Sequence, residues 1–157
     1  MDRAACKARS TERFTVTTTG GAPDKGRLTA DRPASTKQQG DAAEAKALRH
    51  LQASGLRLVR RNFHTPGRGG GEIDLIMQTA DGTLVFVEVR QRRGLGHGGA
   101  LASVSAVKRR RIVFAARHFL MRWPRLPACR FDVVAVQGEG DAQEIVWLQG
   151  AFDADGL

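Results

Sequence analysis

Several residue types are scarce in this sequence, and each shortage removes a class of protein. The 157 residues hold two cysteines, Cys6 and Cys129, no tyrosine, and 6% aromatic side chains in all. Two lone cysteines, with no CxxC or Cys/His cluster, exclude a disulfide scaffold and a zinc site of the usual ligand spacing. A chain of this length needs neither, because one core can bury about two thirds of the surface that the unfolded chain exposes. Cys129 opens an apolar run, where a free thiol is expected to pack as a small hydrophobe. The longest apolar run, Ile112 to Ala116, falls far short of the roughly 20 residues of a spanning helix, which excludes a helical membrane protein. Trp123 and Trp147 read as packing residues, and without tyrosine no platform for stacking bases is evident. The lack of a signal-peptide apolar segment, together with the cysteine usage, points to the cytoplasm.

Acidic residues are also in short supply over most of the chain. The net charge is +9, yet residues 37–130 carry 18 basic and 6 acidic side chains while residues 131–157 carry 6 acidic and no basic ones. The excess therefore belongs to the middle of the chain, and a field of that sign favours a polyanionic partner, most simply nucleic acid. Residues 1–36 show no sustained hydrophobic period and read as a disordered extension.

From residue 37 to 152 the periodicity predicts one α/β domain, followed by a short tail over 153–157. A helix beginning near Ser35 or Asp41 runs to Ala53, with Ala43, Ala47, Leu48 and Leu51 on its inner side and Gly55 as its stop. A strand over Leu56–Phe63 and a loop over His64–Gly71 follow. Ile73–Met77 and Leu84–Val89 then form a hairpin. After a glycine-rich loop, Gly94–Gly99, a second helix spans about Ser103–Arg122 with a buried stripe of Ile112, Val113, Ala116, Phe119 and Leu120. A buried strand, Phe131–Val136, and a short one, Ile145–Leu148, complete the order α-β-β-β-α-β. That order predicts helices covering a central mixed sheet.

Two carboxylates interrupt the most apolar strands: Asp74 in Glu72-Ile-Asp-Leu-Ile76, and Glu88 in Leu84-Val-Phe-Val-Glu-Val89. Burying either is costly unless it is paired, hydrogen-bonded or bound to a cation. A three-residue turn, Ala80-Asp81-Gly82 with Gly82 left-handed, pairs Thr79 with Thr83 and sets Asp74 opposite Glu88 and Glu72 opposite Arg90. Like charges in that position repel, and a divalent cation reverses the sign, since two carboxylates with water and phosphate oxygens suit Mg2+. The alternative is that each carboxylate caps an amide or pairs with an arginine. Glu44 is a third candidate on the inner face of the first helix, unless Asp41-x-x-Glu44 forms a capping box that uses it locally. Asp132, in the Phe131–Val136 strand, reads as a structural partner of Arg130 or of an arginine on the second helix.

These motifs resemble a known family. Gly71-Glu-Ile-Asp-Leu-Ile76, Val85-Phe-Val-Glu-Val-Arg90, the helix around Lys108 with Ala115-Ala116 and Phe119-Leu120, and Arg130-Phe-Asp-Val-Val134 resemble the bacterial YraN family. That family is similar to Holliday junction resolvases and to the restriction-endonuclease-like PD-(D/E)xK core. The resemblance implies a metal-dependent endonuclease acting on DNA, with Mg2+ or Mn2+ on Asp74, Glu88 and the helical Glu44, and a homodimer as in the resolvases. This sequence departs from the pattern at Arg90, where the nuclease motif has lysine. Arginine stays charged and cannot serve as a general base, although it can stabilise charge on a phosphate or bridge to Glu72 across the hairpin. The departure leaves open a catalytically weakened nucleic-acid binder or adaptor.

The basic run Lys108-Arg-Arg-Arg111 lies near a helix start, where the macrodipole disfavours cations, so it points to an anion. With Arg68, Arg92 and Arg93 it reads as a phosphate-contacting set. The Arg68-Gly-Gly-Gly71 segment lacks the Gly-Lys-Ser/Thr of a nucleotide loop and reads as a flexible connector.

Overall fold

A computed structural model of the chain describes residues 35–67, 69–92, 104–138 and 143–154. Arg68, Arg93, the Gly94–Gly99 loop, residues 155–157 of the tail and all of the N-terminal extension except Ser35 and Thr36 lie outside the described residues. Helix α1 spans Thr36–Ala53 and α2 spans Ala106–Leu120; the strands are β1 (Arg57–His64), β2 (Glu72–Gln78), β3 (Leu84–Arg92), β4 (Cys129–Gln137) and β5 (Glu144–Phe152). They form one five-stranded sheet in the order β1-β2-β3-β4-β5. Only the β3–β4 pair is parallel, and α2 makes the crossover that a parallel pair requires. The architecture is the predicted α/β arrangement, a mixed sheet with the element order of a nuclease-like core, extended by β5.

Each face of the sheet carries a helix because the strands alternate. Leu75, Met77, Val85, Val87 and Val134 pack with Ala47 and Leu51 of α1, while Ile76, Leu84, Phe86, Val133 and Ala135 pack with Ile112, Ala116 and Phe119 of α2. The predicted stripe of α2 is buried in full, with Ala115 added.

The hairpin turn follows the glycine. Gly82 has φ +90°, Thr79 N donates to Thr83 O at 3.0 Å and Gly82 N donates to Thr79 O at 3.1 Å. The β2–β3 pairs accordingly run from Gln78↔Leu84 to Leu75↔Val87, the register that a three-residue loop dictates.

The structure decides one alternative that the sequence left open and corrects two expectations. The capping box of α1 is Ser35 with Gln38, not Asp41 with Glu44, so Glu44 is left free of capping duty. Cys129 is exposed rather than packed, because it is the first residue of β4 and precedes the buried part of that strand. The ends of the His64–Gly71 loop are joined by Thr65 N donating to Gly71 O at 3.0 Å and Gly71 N donating to Thr65 Oγ1 at 2.7 Å. Finally, β5 runs on to Phe152 because Asp132 holds its second half.

Asp132, fully buried, accepts from Arg130 Nε at 3.1 Å, Trp147 Nε1 at 2.9 Å and Gly150 N at 2.9 Å, and it fills a register shift between β4 and β5. Its role is structural, as the sequence suggested, and Trp147 serves it as a donor besides packing. Asp132→Asn turns an amide NH2 toward N–H donors and is expected to cost about 2 kcal/mol. Urea melts should show a lower midpoint with an unchanged slope.

Candidate active site

The alternation of β2 breaks at Asp74. Ile73 and Leu75 are two residues apart, yet they pack on opposite faces of the sheet. Across on β1, Asn62 falls between the pairs Arg61↔Leu75 and Phe63↔Ile73 and has φ +47°, a left-handed conformation that Asn tolerates better than most residues. On the other side the β2–β3 ladder ends at Leu75↔Val87, one step short of Asp74 and Glu88. The two carboxylates therefore stand where the strands part, and Glu72 and Arg90 lie beyond the ladder.

Asp74 uses the gap. Its Oδ2 accepts from Val89 N at 2.7 Å, replacing a ladder bond with a side-chain one. The Asp74 carboxyl is nonetheless held above its ordinary range, first by burial; the Val89 amide and Lys108 pull it down and Glu72 pushes it up. Glu88 is 2% exposed, and its carboxyl is pushed up to about 7 by burial and by the negative charge of Asp74, with Lys108 and Arg90 opposing. Each carboxylate thus makes the other harder to ionise.

Two cations face the pair. Arg90 Nη1 lies 3.7 Å from Glu88 Oε1, and Lys108 Nζ of α2 lies 3.2 Å from Glu88 Oε2. Glu88 Oε2 is buried, and the Lys108 ammonium is the group that faces it. A buried carboxylate oxygen calls for a cation, and here the ammonium of Lys108 supplies it.

Glu44 is reached from the other face. Burial and then Asp74 raise its carboxyl, while Arg61 and a hydrogen bond from Asn62 lower it, and its Oε2 is buried without a hydrogen-bond partner. Among the described residues no three His, Cys, Asp or Glu side chains stand together at ligating spacing. The carboxylates that stand closest are Asp74 and Glu88, with Glu44 near enough to feel the charge of Asp74.

The basic run separates by direction. Lys108 turns inward to Glu88, Arg109 is half-buried with its Nε enclosed, and Arg110 and Arg111 are exposed on the outer side. Arg92 closes β3, where its carbonyl accepts from Gly138 N at 3.0 Å. Sequence reasoning grouped Lys108 with the phosphate contacts and missed its place beside the carboxylates. A run of four cations fills every direction around a helix, so only the packing of α2 could single one out.

Fold and site together define an α/β protein with a restriction-endonuclease-like core and a buried acidic pair at the parting of two strands. The model of the Uncharacterised protein family UPF0102 matches residues 43–136. The chain is 62% identical over 125 residues to a UPF0102 protein of Paracidovorax citrulli, covering 80% of this chain and 90% of that one. It is 64% identical over 119 residues to a UPF0102 protein of Albidiferax ferrireducens, covering 76% and 90%, and 61% identical over 124 residues to one of Polaromonas naphthalenivorans, covering 76% and 81%. The chain belongs to the UPF0102 family, the uncharacterised family that its motifs resemble. No helix among the described residues is long and apolar enough to cross a membrane.

Proposed function

We propose that this protein is a metal-dependent endonuclease of the cytoplasm that hydrolyses DNA phosphodiester bonds, at branched DNA in particular. The observation that carries this reading is the buried Asp74–Glu88 pair, one member anchored by the Val89 amide and the other facing the Lys108 ammonium. Asp74 and Glu88 would hold Mg2+ or Mn2+, and Glu44 lies close enough to act on the site through its charge. The bound metal supplies Lewis-acid activation of water and offsets charge on the phosphate. The chain's own groups do the rest. Val89 N fixes the Asp74 carboxylate, and Arg90, half-exposed at the rim, offers its guanidinium to the phosphate. Lys108 brings to Glu88 the ammonium that the nuclease motif carries at the position of Arg90, where it can align an attacking water or steady charge on the phosphate.

The test is cleavage of supercoiled, linear and four-way-junction DNA in Mg2+ or Mn2+. Wild type should cut and chelator should stop it, and Asp74→Ala and Glu88→Ala should each lose about a thousandfold or more. Equal cleavage by all three proteins would overturn the assignment. Arg90 favours a second reading, a weakened nuclease that binds DNA without cutting it. That reading predicts salt-sensitive binding, no metal-dependent cutting by wild type, and activity gained by Arg90→Lys.

A further inference from the structure

Along the outside of α2, residues 107, 110, 114, 117 and 121 recur at spacings of three and four and form one stripe. The stripe alternates apolar and cationic groups: Val107 is 53% exposed, Phe114 54% and Met121 80%, with the exposed Arg110 and Arg117 between them. Beside it lies an open cleft of about 400 Å3 lined by Gly69, Arg110, Arg111, Phe114 and Arg117. No carboxylate lines this cleft, and none of the three arginines forms an ion pair among the described residues.

We infer that this face binds single-stranded DNA, with an unpaired base stacked on Phe114 and its flanking phosphates held by Arg110, Arg111 and Arg117. A flat exposed ring between cations is the combination that sequence-tolerant single-strand binding uses. Charge decides against a second copy of the chain, because a two-fold pairing of this stripe would set Arg110 and Arg117 against arginines in a drying interface. Duplex DNA keeps its bases stacked inside and offers Phe114 nothing. The same helix carries Lys108 to the carboxylates, about 9 Å of helical rise from Phe114, so α2 connects this outer face to the site proposed above. The choice of DNA as ligand rests on that proposal; the stacking contact does not depend on hydrolysis.

Anisotropy of a labelled 20-nucleotide oligo(dT) and of a blunt duplex of equal length, in chelator, with the full chain, tests it. Phe114→Ala should weaken single-strand binding by about fivefold to a hundredfold and leave duplex binding within about twofold, while Phe114→Trp retains it. Arg110→Ala with Arg117→Ala should weaken both and reduce the salt slope by about two. Unchanged oligo(dT) binding by Phe114→Ala overturns the inference. So does a shift from dimer to monomer in sedimentation of Phe114→Ala, which gives the face to a second copy, and so does equal Phe114 dependence for an acidic polypeptide. A chain that never cuts DNA yet shows the Phe114 effect loses the nuclease reading alone; one that cuts with Phe114→Ala binding unaltered loses this inference alone.

Discussion

Glu88→Gln is expected to make the metal-free protein more stable at pH 8 while abolishing its response to Mg2+. The Glu88 carboxyl is raised from 4.5 to about 7 in the folded protein, chiefly by burial and by Asp74. A raised pKa means that the folded state binds the proton more tightly than the unfolded state. The contribution to stability is therefore complete below about pH 4.5 and is lost as pH rises to about 7. A difference of that size corresponds to about 3 kcal/mol, reduced somewhat because Lys108 loses its anionic partner in the variant. Glutamine stays neutral throughout, so the variant should gain on wild type by on the order of 2–3 kcal/mol between pH 5 and 8. Thermal melts in chelator across that range would show it. Millimolar Mg2+ should raise the wild-type midpoint at pH 8 and much less at pH 5, where the proton competes for the same oxygens. In Glu88→Gln that dependence should vanish. A variant that is less stable at every pH and still responds to Mg2+ would make Glu88 a structural partner of Lys108. A more stable variant without the response would mark a carboxylate kept at the expense of stability for what it binds.

The parts of this site that could be read in the sequence are those fixed over a few residues. Gly82, as the last turn residue, sets the hairpin register, and the register brings Asp74 and Glu88 together. The buried stripe of α2 follows from its period. What could not be read depends on distant packing. Nothing local says that Lys108, and not Arg109, turns to Glu88. The stacking reading also escaped notice: the period of α2 leaves Phe114 out of the buried stripe, but only the structure shows its ring exposed between Arg110 and Arg117. The break in alternation at Asp74 has a trace in sequence only as Asn62, which is unremarkable until its φ of +47° is seen. The cap of α1 stayed open between Ser35 and Asp41 because Asp41-x-x-Glu44 and Ser35-x-x-Gln38 both fit the pattern, and the structure decides for Ser35.

Gly71→Ala tests how the inward turn of Lys108 is held, and its effect should be the largest on folding. A Cβ at position 71 would overlap the carbonyl oxygen of Arg111 and come within 2.9 Å of the Ala115 Cβ. The obstacle is helix backbone, which has no rotamer to change, so the strand and α2 must separate. Overlap of this kind costs at least about 3 kcal/mol, or roughly 10 °C in the melting midpoint for a domain of this size. Gly40→Ala is the control: it lies inside α1 with nothing within 4 Å of an added Cβ and should stabilise by up to about 1 kcal/mol. The consequence for the site distinguishes close packing from general damage. Gly71 sits three residues before Asp74, and Arg111 sits one turn beyond Lys108, so a shift of α2 away from Gly71 is expected to lengthen the 3.2 Å contact of Lys108 with Glu88. Separating them removes the cation that holds the Glu88 carboxyl down. The surviving folded fraction of Gly71→Ala should then lose stability with rising pH over a range that extends above pH 7. If the variant melts lower but keeps the wild-type pH profile, Lys108 is held by something other than this contact.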